Sequence, residues 1–211
     1  MVVTHARLGK GTSMAKRVFA IVGSYRKGGM VDSAVEEILE GARERGAETN
    51  KIYLLDKHIE FCNNCRSCMQ EPGAARGTCP LHDDMAGILD EMDAADSIVL
   101  GSPVNYFNAT AIFRRFLERM AVYAYWPWYA KMPVGRIKQQ TKKAVLVISS
   151  AAPRLFIPIA TGAPKALQTA AMSVGARTVG KLYIGLSSRE PHPKLSAREI
   201  SRARKMGARL A

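Results

Sequence analysis

Residues 17–29 read RVFAIVGSYRKGG and join a short apolar run to a glycine-rich turn. The run 17–22 is rich in β-branched and aliphatic residues and stops at Gly23, which predicts a buried β-strand. Apolar residues at helical spacing then fill residues 32–45 and end before Gly46, which predicts a helix. A strand, a tight turn and a helix in this order favour the start of a parallel sheet.

The same alternation of strands and helices continues along the chain. The predicted strands are 17–22, 48–55, 97–100, 143–148 and 177–184. The predicted helices are 32–45, 84–94 with Asp83 as its N-cap, 110–122 and 161–174. Almost continuously apolar strands separated by helices are typical of a parallel sheet covered on both faces. We therefore predict an α/β, flavodoxin-like doubly wound fold with five parallel strands in the order 2-1-3-4-5.

The composition is that of an ordinary globular protein. The chain has 211 residues, of which 47% are hydrophobic and 23% charged, and this excludes a disordered chain. Its longest apolar run, 144–152, is too short to span a bilayer. Residues 1–15 lack the features of a secretory signal and are predicted to be a disordered extension, and residues 16–211 a single domain with a cysteine-rich loop at 61–80. These features predict a cytoplasmic protein without a membrane partner, whose thiols stay reduced.

The net charge of +13 is concentrated in the second half of the sequence. Residues 114–211 carry 19 of the 31 Lys and Arg residues but only 3 of the 18 Asp and Glu residues. These basic residues are scattered, apart from a cluster in the C-terminal tail. A solvated helix face is therefore a better interpretation of the tail than a nucleic-acid groove, and no nucleic-acid partner is expected. Attraction of an anionic partner, such as a phosphorylated nicotinamide or an acidic redox protein, is an alternative.

The turn at 23–29 has the properties of a phosphate-binding loop. Ligands of doubly wound sheets lie at the carboxyl ends of the strands, which here are followed by the loops 23–33, 101–108 and 149–153. Glycines let the backbone approach an anion at a helix N-terminus, Ser24 offers a hydroxyl group and Arg26 a charge. The loop matches neither the dinucleotide fingerprint nor the Walker pattern. An ordinary tight turn is the alternative.

All four cysteines lie within eighteen residues, in the pattern C-x2-C-x2-C-x10-C followed by Pro80. The residues are Cys62, Cys65, Cys68 and Cys79, and their spacing resembles a ferredoxin run in which thiolates surround a 4Fe-4S cluster. Zinc held by Cys62, Cys65, Cys79 and His82 is an alternative, and so are unliganded thiols. The reducing compartment disfavours disulfides.

The segments GSYRKGG at 23–29 and GSPVNYF at 101–107 resemble the NADPH-dependent FMN reductase and iron–sulfur flavoprotein family of flavodoxin-like proteins. The resemblance runs from about residue 16 to 186 and includes the cysteine loop. It implies that the first loop holds the FMN phosphate through Ser24, Arg26, Gly28 and Gly29, with Asp32 and Ser33 as further candidates. In iron–sulfur members the cysteines hold the 4Fe-4S cluster beside the flavin.

The other two loops are expected to form the bed of the flavin ring. By resemblance, Pro103, Val104, Asn105, Tyr106 and Phe107 run beside it, and Ser149, Ser150 and Ala151 form a third wall. For Tyr106 contact with the flavin is the favoured interpretation, whereas for Phe107 a place in the core is equally favoured. The aromatic residues at 123–129 are expected to contact a second subunit or to overhang the flavin as a lid, and the resemblance implies a homodimer or higher homo-oligomer.

These expectations combine into one predicted function, an FMN-dependent NAD(P)H oxidoreductase. It would pass electrons from a reduced nicotinamide to a quinone-like or other small-molecule or protein acceptor. No Ser-His-Asp or paired-carboxylate arrangement is visible, so no catalytic side chain is predicted and the chemistry belongs to the flavin. The alternatives are a non-enzymatic flavin and iron–sulfur electron carrier and a zinc-stabilised binding module.

Overall fold

The computed structural model describes residues 15–73 and 76–211, and a sheet of parallel strands forms its centre. In chain order the strands are β1 (Arg17–Val22), β2 (Glu48–Tyr53), β3 (Ser97–Asn105), β4 (Asn108–Ala109), β5 (Ala124–Tyr125), β6 (Val134–Gly135), β7 (Lys142–Ser149) and β8 (Ala176–Ile184). The helices are α1 (Met30–Arg43), α2 (Met85–Ala94), α3 (Ala111–Arg119), α4 (Ile157–Ala160), α5 (Ala163–Ser173) and α6 (Ala197–Gly207). Short 3-10 helices cover Leu54–Asp56, Ser67–Met69 and Met120–Tyr123. The extension predicted at 1–15 lies, apart from Ala15, outside the described residues.

The predicted strand order is confirmed. The five long strands are parallel and follow the order β2-β1-β3-β7-β8, which is 2-1-3-4-5 when only these strands are counted. The winding reverses between β1 and β3, where Val22 pairs with Gly101. That reversal leaves a crevice beyond the carboxyl ends of the two strands.

Helices cover both faces of the sheet, and side chains from each strand alternate between the two layers. Ile98 and Leu100 of β3 belong to the core beneath α2, α3 and α5, whereas Val99 belongs to the core beneath α1 and α6. This alternation explains why the strands read as continuous apolar runs. Within the described ranges no helix is long and apolar enough to cross a membrane.

Several predicted boundaries were wrong for identifiable reasons. Strand β3 continues five residues past the predicted end, because its pairing with β7 reaches Pro103 and β4 folds back antiparallel onto Val104 and Asn105. Helix α3 ends at Arg119 and passes into a 3-10 turn. Asp83 is not the N-cap of α2, which is Asp84. The Asp83 side chain is buried, and its carboxylate accepts a hydrogen bond from the N–H of Met85.

Helix α6 lies in the basic tail that the sequence analysis interpreted as a solvated helix face without giving it bounds, and its start carries a clear signal. The Ser196 hydroxyl accepts the N–H of Glu199, and the Glu199 carboxylate accepts the N–H of Ser196, so the two form a capping box. The helix packs tightly on α1 at two glycines. A Cβ atom on Gly41 would lie 2.2 Å from the Arg204 carbonyl oxygen, and one on Gly207 would lie 1.8 Å from that of Ile38.

Candidate functional site

A cavity of about 770 Å³ opens at the carboxyl edge of the sheet, above β1, β3 and β7. Its walls include the three loops that the sequence singled out. They contribute residues 24–31 from the first loop, Pro103, Val104 and Asn105 from the second, and Ser149, Ser150 and Ala151 from the third. A fourth wall, which sequence reasoning missed, is formed by Ser187, Ser188, Pro191, His192, Pro193 and Lys194.

The first loop brings the N-terminus of α1 to this cavity. Gly28 has a positive φ of 72°, which only glycine adopts without strain, and Gly29 is the N-cap of α1. The first N–H groups of a helix have no partner within it, and none of the described side chains caps this one. The Ser24 hydroxyl accepts the N–H of Arg26 at 3.1 Å and thereby fixes the turn. Unpaired N–H groups and a helix N-terminus together favour an anion.

Asp32 and Ser33 hold this loop from behind and do not line the cavity. The buried Asp32 carboxylate accepts hydrogen bonds from the Gly28 N–H at 2.6 Å and the Tyr53 hydroxyl at 3.0 Å. Its other partner is the Lys51 ammonium, at 3.0 Å. Burial alone would lower the pKa of Lys51, but the hydrogen bonds to Glu36 and Asp32 outweigh it and raise that pKa. Asp32 therefore fixes the shape of the first loop and presents no group to the cavity.

The cations of the loop differ in what they already bind. Lys27 forms an ion pair with Asp56 at 2.6 Å and lies 4.9 Å from the centre of the Tyr53 ring. Arg26 lines the cavity and forms no ion pair with any residue in the described part of the chain. Arg26 is thus the cation of this loop that remains available to an anion.

Asn105 lines the cavity, but the two aromatic residues after it point elsewhere. Tyr106 and Phe107 form the two-residue turn between β3 and β4, with φ values of 45° and 63°. Tyr106 is 97% exposed and Phe107 70% exposed, and neither lines the cavity of the single chain. The alternative that placed Phe107 in the core was therefore wrong.

The third loop is joined to the unpredicted fourth wall by backbone hydrogen bonds. Ser149 and Ser150 are buried, and the Ser150 N–H donates to Ile184 at the end of β8. The Ser150 carbonyl oxygen accepts the Ser187 N–H at 3.0 Å. The prolines and basic residues between the last strand and the capping box were the available signal for this wall.

The four cysteines surround one smaller pocket of about 220 Å³. All four are free thiols, and Met69, Leu81 and Ala121 add apolar walls. Burial raises the pKa of Cys68, and the charges of Cys79, Cys62 and Cys65 raise it further, as expected for thiols that lie near one another.

Hydrogen-bond donors reach two of the sulfur atoms. The Ser67 hydroxyl donates to the Cys65 Sγ at 3.4 Å and lowers the pKa of that thiol, and the Arg119 Nη2 lies 3.5 Å from the Cys79 Sγ. Such donors stabilise sulfur ligands that carry negative charge. Asn63, Asn64, Arg66 and Glu118 also line this pocket. A set of four thiols is the donor chemistry that an iron–sulfur cluster requires.

No site for a single metal ion is assembled, at the cysteines or with His82, in the part of the chain that the structure describes. Among residues 15–73 and 76–211, no group of three or more His, Cys, Asp or Glu side chains, the four cysteines included, is placed to hold one ion. His82 is exposed and does not line the cysteine pocket.

The aromatic segment 124–129 is fastened to the cysteine loop by Arg66. Its guanidinium lies 3.9 Å from the centre of the Trp126 ring and 4.5 Å from that of Trp128. It also donates to the Trp126 carbonyl oxygen at 2.7 Å, and the Trp126 N–H donates to Met69. Beyond these contacts Tyr129 is fully exposed. The segment thus lies against the cysteine loop with its outer rings uncovered.

Comparison with known proteins gives these features a context. Residues 16–181 match the model of the family described as NADPH-dependent FMN reductase. An iron–sulfur flavoprotein of Methanocaldococcus jannaschii is 38% identical over 103 residues, which are 49% of this chain and 51% of that protein. An iron–sulfur flavoprotein of Archaeoglobus fulgidus is 32% identical over 111 residues, 53% of this chain and 48% of that protein. The chain spans about half the length of the curated relatives it matches.

Two solved structures share the fold at low sequence identity. The NAD(P)H:quinone oxidoreductase of Methanothermobacter marburgensis superposes with a TM-score of 0.68 at 18% identity, covering 93% of this chain and all of that one. An FMN-dependent NADH-azoreductase of Bacillus anthracis in complex with FMN gives a TM-score of 0.68 at 12% identity, with 92% and 99% coverage. At these identities the likeness shows the flavodoxin-like fold.

Proposed function

The chain belongs to the NADPH-dependent FMN reductase family, and from this premise we propose that it binds FMN in the cavity at the sheet edge and oxidises a reduced nicotinamide. The observation that carries the proposal is the convergence of the three loops on one cavity at the reversal point of the sheet. FMN, if bound, would supply the redox chemistry, with hydride transfer from NADPH or NADH and electron transfer to an acceptor.

The phosphate of FMN would lie at the first loop. The N–H groups at the start of α1 and the Ser24 hydroxyl would donate hydrogen bonds to it, and Arg26 would supply charge. Gly28 and Gly29 allow the close approach of the backbone. Asp32 and Ser33 would contribute indirectly by fixing Gly28, whose N–H and carbonyl oxygen they bind.

The isoalloxazine ring would lie between the second and third loops. The Asn105 amide can form hydrogen bonds with the polar edge of the ring. Ser149, Ser150 and Ala151 are small enough to let the ring approach. Pro103 and Val104 would form the apolar floor. In this arrangement the side chains bind and orient the coenzyme, and none needs to exchange a proton.

We further propose that Cys62, Cys65, Cys68 and Cys79 hold a 4Fe-4S cluster. The four thiols line one pocket, and two relatives of this chain are named iron–sulfur flavoproteins. A cluster on these ligands would exchange single electrons with a partner of the flavin. A non-enzymatic carrier, reduced by a protein and not by a nicotinamide, is favoured by the same cysteines and is the second candidate.

A homodimer is part of this proposal. Tyr106, Phe107, Trp128 and Tyr129 are all more than half exposed, and a second copy of the chain would cover aromatic rings of this kind. We also propose that residues 16–211 act as one FMN-binding domain, with the cysteine loop as part of it. Sedimentation velocity at two protein concentrations measures the oligomeric state, and a monomer at both would contradict the dimer.

The main experiment is anaerobic purification followed by a visible spectrum and assays of FMN, iron and acid-labile sulfide. For the wild type we expect about one FMN per chain together with iron and sulfide. Each of the four single Cys→Ser variants should lose the iron and sulfide but keep FMN. Oxidation of NADPH and NADH with a quinone or ferricyanide then separates the enzyme from the carrier. Protein that fails to retain added FMN would refute the proposal.

A matched pair of variants tests the phosphate position. Arg26→Gln removes the available cation of the loop, whereas Arg45→Gln removes an exposed cation beyond the far end of α1. We expect only Arg26→Gln to weaken FMN binding, by about tenfold for one charge-assisted hydrogen bond. Riboflavin, which lacks the phosphate, should bind both variants equally.

A further inference from the structure

The fourth wall of the cavity lies beyond the part of the chain that matches the family. The family match ends at residue 181, whereas the wall comprises residues 187–194. Its contribution to the cavity is therefore a property of this chain that the family model does not describe. Two of its residues, His192 and Lys194, line the cavity with groups that donate hydrogen bonds.

Both ends of this wall are fixed to the fold. At one end the Leu186 N–H donates to the Ala152 carbonyl oxygen and the Ser187 N–H to that of Ser150. Gly185 allows the approach, since a Cβ there would lie 2.3 Å from the Arg154 nitrogen.

At the other end Leu195 packs against the core beneath α1 and α6, to which Met30 at the start of α1 also belongs. The capping box of α6 begins at the next residue, Ser196. Lys194 therefore immediately precedes an anchored position on the same side of the sheet as the phosphate loop. Pro191 and Pro193 restrict the backbone on either side of His192.

The first loop has too few unpaired cations to balance the charge of a phosphate, and this wall can supply another. Lys27 is paired with Asp56, and Lys51 is paired with Asp32 and Glu36. Arg26 alone remains for a phosphate monoester, which carries a charge of about −1.5 to −2 at pH 7. Lys194 forms no ion pair with any of the described residues and lines the same cavity.

We propose that residues 187–194 form a second phosphate-recognition element of the cavity, in which Lys194 and His192 bind a phosphate monoester opposite Arg26. The inference rests on the proposed function. The phosphate could belong to FMN itself or to the ribose 2′-position of NADPH. The recognition chemistry is the same in both cases: an ammonium and an imidazole N–H donating to phosphate oxygens.

The test compares Lys194→Met with Lys165→Met, which removes an exposed lysine that lines no part of the cavity. Binding of FMN and riboflavin to the apoprotein is measured by quenching of flavin fluorescence. The KM values for NADPH and NADH are measured on the FMN-loaded protein. His192→Gln is tested in the same way, so that the inference does not depend on a single variant.

We expect Lys194→Met to weaken one phosphorylated ligand by about three- to tenfold relative to its unphosphorylated counterpart. A lower preference for FMN over riboflavin assigns the phosphate to the coenzyme. A lower preference for NADPH over NADH, with FMN binding unchanged, assigns it to the nucleotide. Lys165→Met should leave both preferences as in the wild type.

Two results would overturn the inference. In one, both preferences are unchanged in Lys194→Met and His192→Gln. This includes the case in which both members of a pair are weakened equally, which would make the wall a steric boundary only. The second result is a lowered preference in Lys165→Met as large as that in Lys194→Met. Wild-type protein that binds no FMN would refute the proposed function together with this inference, whereas wild-type binding with unchanged preferences in the variants refutes this inference alone.

Discussion

The backbone of Gly77 lies directly against the carbonyl group of Cys68, so that a Cβ atom at position 77 would be 1.8 Å from the carbonyl oxygen. The Gly77 N–H donates to the Val122 carbonyl oxygen at 2.8 Å, which fixes the segment that leads to Cys79. The contact between Gly77 and Cys68 brings the two sides of the cysteine loop together. As a result Cys79 lines the same pocket as Cys62, Cys65 and Cys68.

Gly77→Ala should therefore separate Cys79 from the other three cysteines. We expect the variant to lose iron and sulfide while it keeps FMN, and to lose about 1–3 kcal/mol of unfolding free energy through overpacking. Gly87→Ala is the control, because a Cβ there meets nothing within 4 Å. Full iron content in Gly77→Ala would show that the contact is not needed to assemble the ligands.

Sequence reasoning predicted the sheet because the central strands β1, β3 and β7 are apolar on both faces and helices separate the five strands. It found the cavity because the reversal between β1 and β3 places the loops after Val22, Leu100 and Ile148 at one edge. The predictions of the sheet and of the cavity depend on local sequence pattern and on strand order. They hold although the predicted ends of β3 and α3 were wrong by several residues.

The parts that were missed depend on contacts between distant residues. Asp32 could be placed at the start of a helix, but nothing in the sequence shows that Lys51 and Tyr53 would meet it. The wall at 187–194 reaches the cavity only because Ser187 pairs with Ser150 and Leu195 enters the core. The flavin contact that the resemblance implies for Tyr106 and Phe107 stays a prediction, because a two-residue turn exposes both in the single chain.

The buried ion pair between Arg119 and Asp83 predicts a large loss of stability in Asp83→Asn. Both side chains are almost fully buried, and Arg119 also donates to the Glu60 carbonyl oxygen. An uncompensated guanidinium in this position should cost about 3–5 kcal/mol of unfolding free energy. Asp90→Asn is the control, since it breaks a pair with Arg76 in which Asp90 is 68% exposed, and it should cost about 0–1 kcal/mol. Equal losses in urea unfolding would contradict the prediction.

The same pair predicts how the stability of the wild-type protein depends on pH. Burial alone would raise the pKa of Asp83, but hydrogen bonds from Arg119 and from the N–H groups of Glu60 and Met85 outweigh it, and the pKa is lowered from 3.8. Below about pH 5 the unfolded chain then binds the proton more readily than the folded one, so stability falls as the pH falls. This contribution is complete above the unfolded pKa and is lost as the pH drops through the folded one. In Asp83→Asn the unfolding free energy should fall less between pH 6 and 3; an unchanged slope would contradict the assignment.

Asp32 should matter to the phosphate loop through its hydrogen bond to Gly28. Asp32→Ala leaves the Gly28 N–H, the Tyr53 hydroxyl and the Lys51 ammonium without their shared acceptor. We expect it to lower the unfolding free energy by about 1–3 kcal/mol and to weaken FMN binding. Asp32→Asn keeps an acceptor oxygen and should lose less of both. FMN affinity in Asp32→Ala equal to that of the wild type would show that the loop keeps its shape without this carboxylate.

The contacts of Arg66 predict a change in tryptophan fluorescence in Arg66→Ala, and this change does not depend on any cofactor. The protein has two tryptophans, Trp126 and Trp128, and the Arg66 guanidinium lies against both rings. Arg66→Ala removes these contacts and the hydrogen bond to the Trp126 carbonyl oxygen, so the aromatic segment should separate from the cysteine loop. In the apoprotein, which has no flavin to quench the emission, the tryptophan fluorescence should shift to longer wavelength and acrylamide should quench it more strongly.

Arg177→Ala, at an exposed position on β8, is the matched control and should leave the tryptophan emission unchanged. Wild-type emission and quenching in Arg66→Ala would mean that the remaining backbone bond between Trp126 and Met69 is sufficient to hold the segment in place.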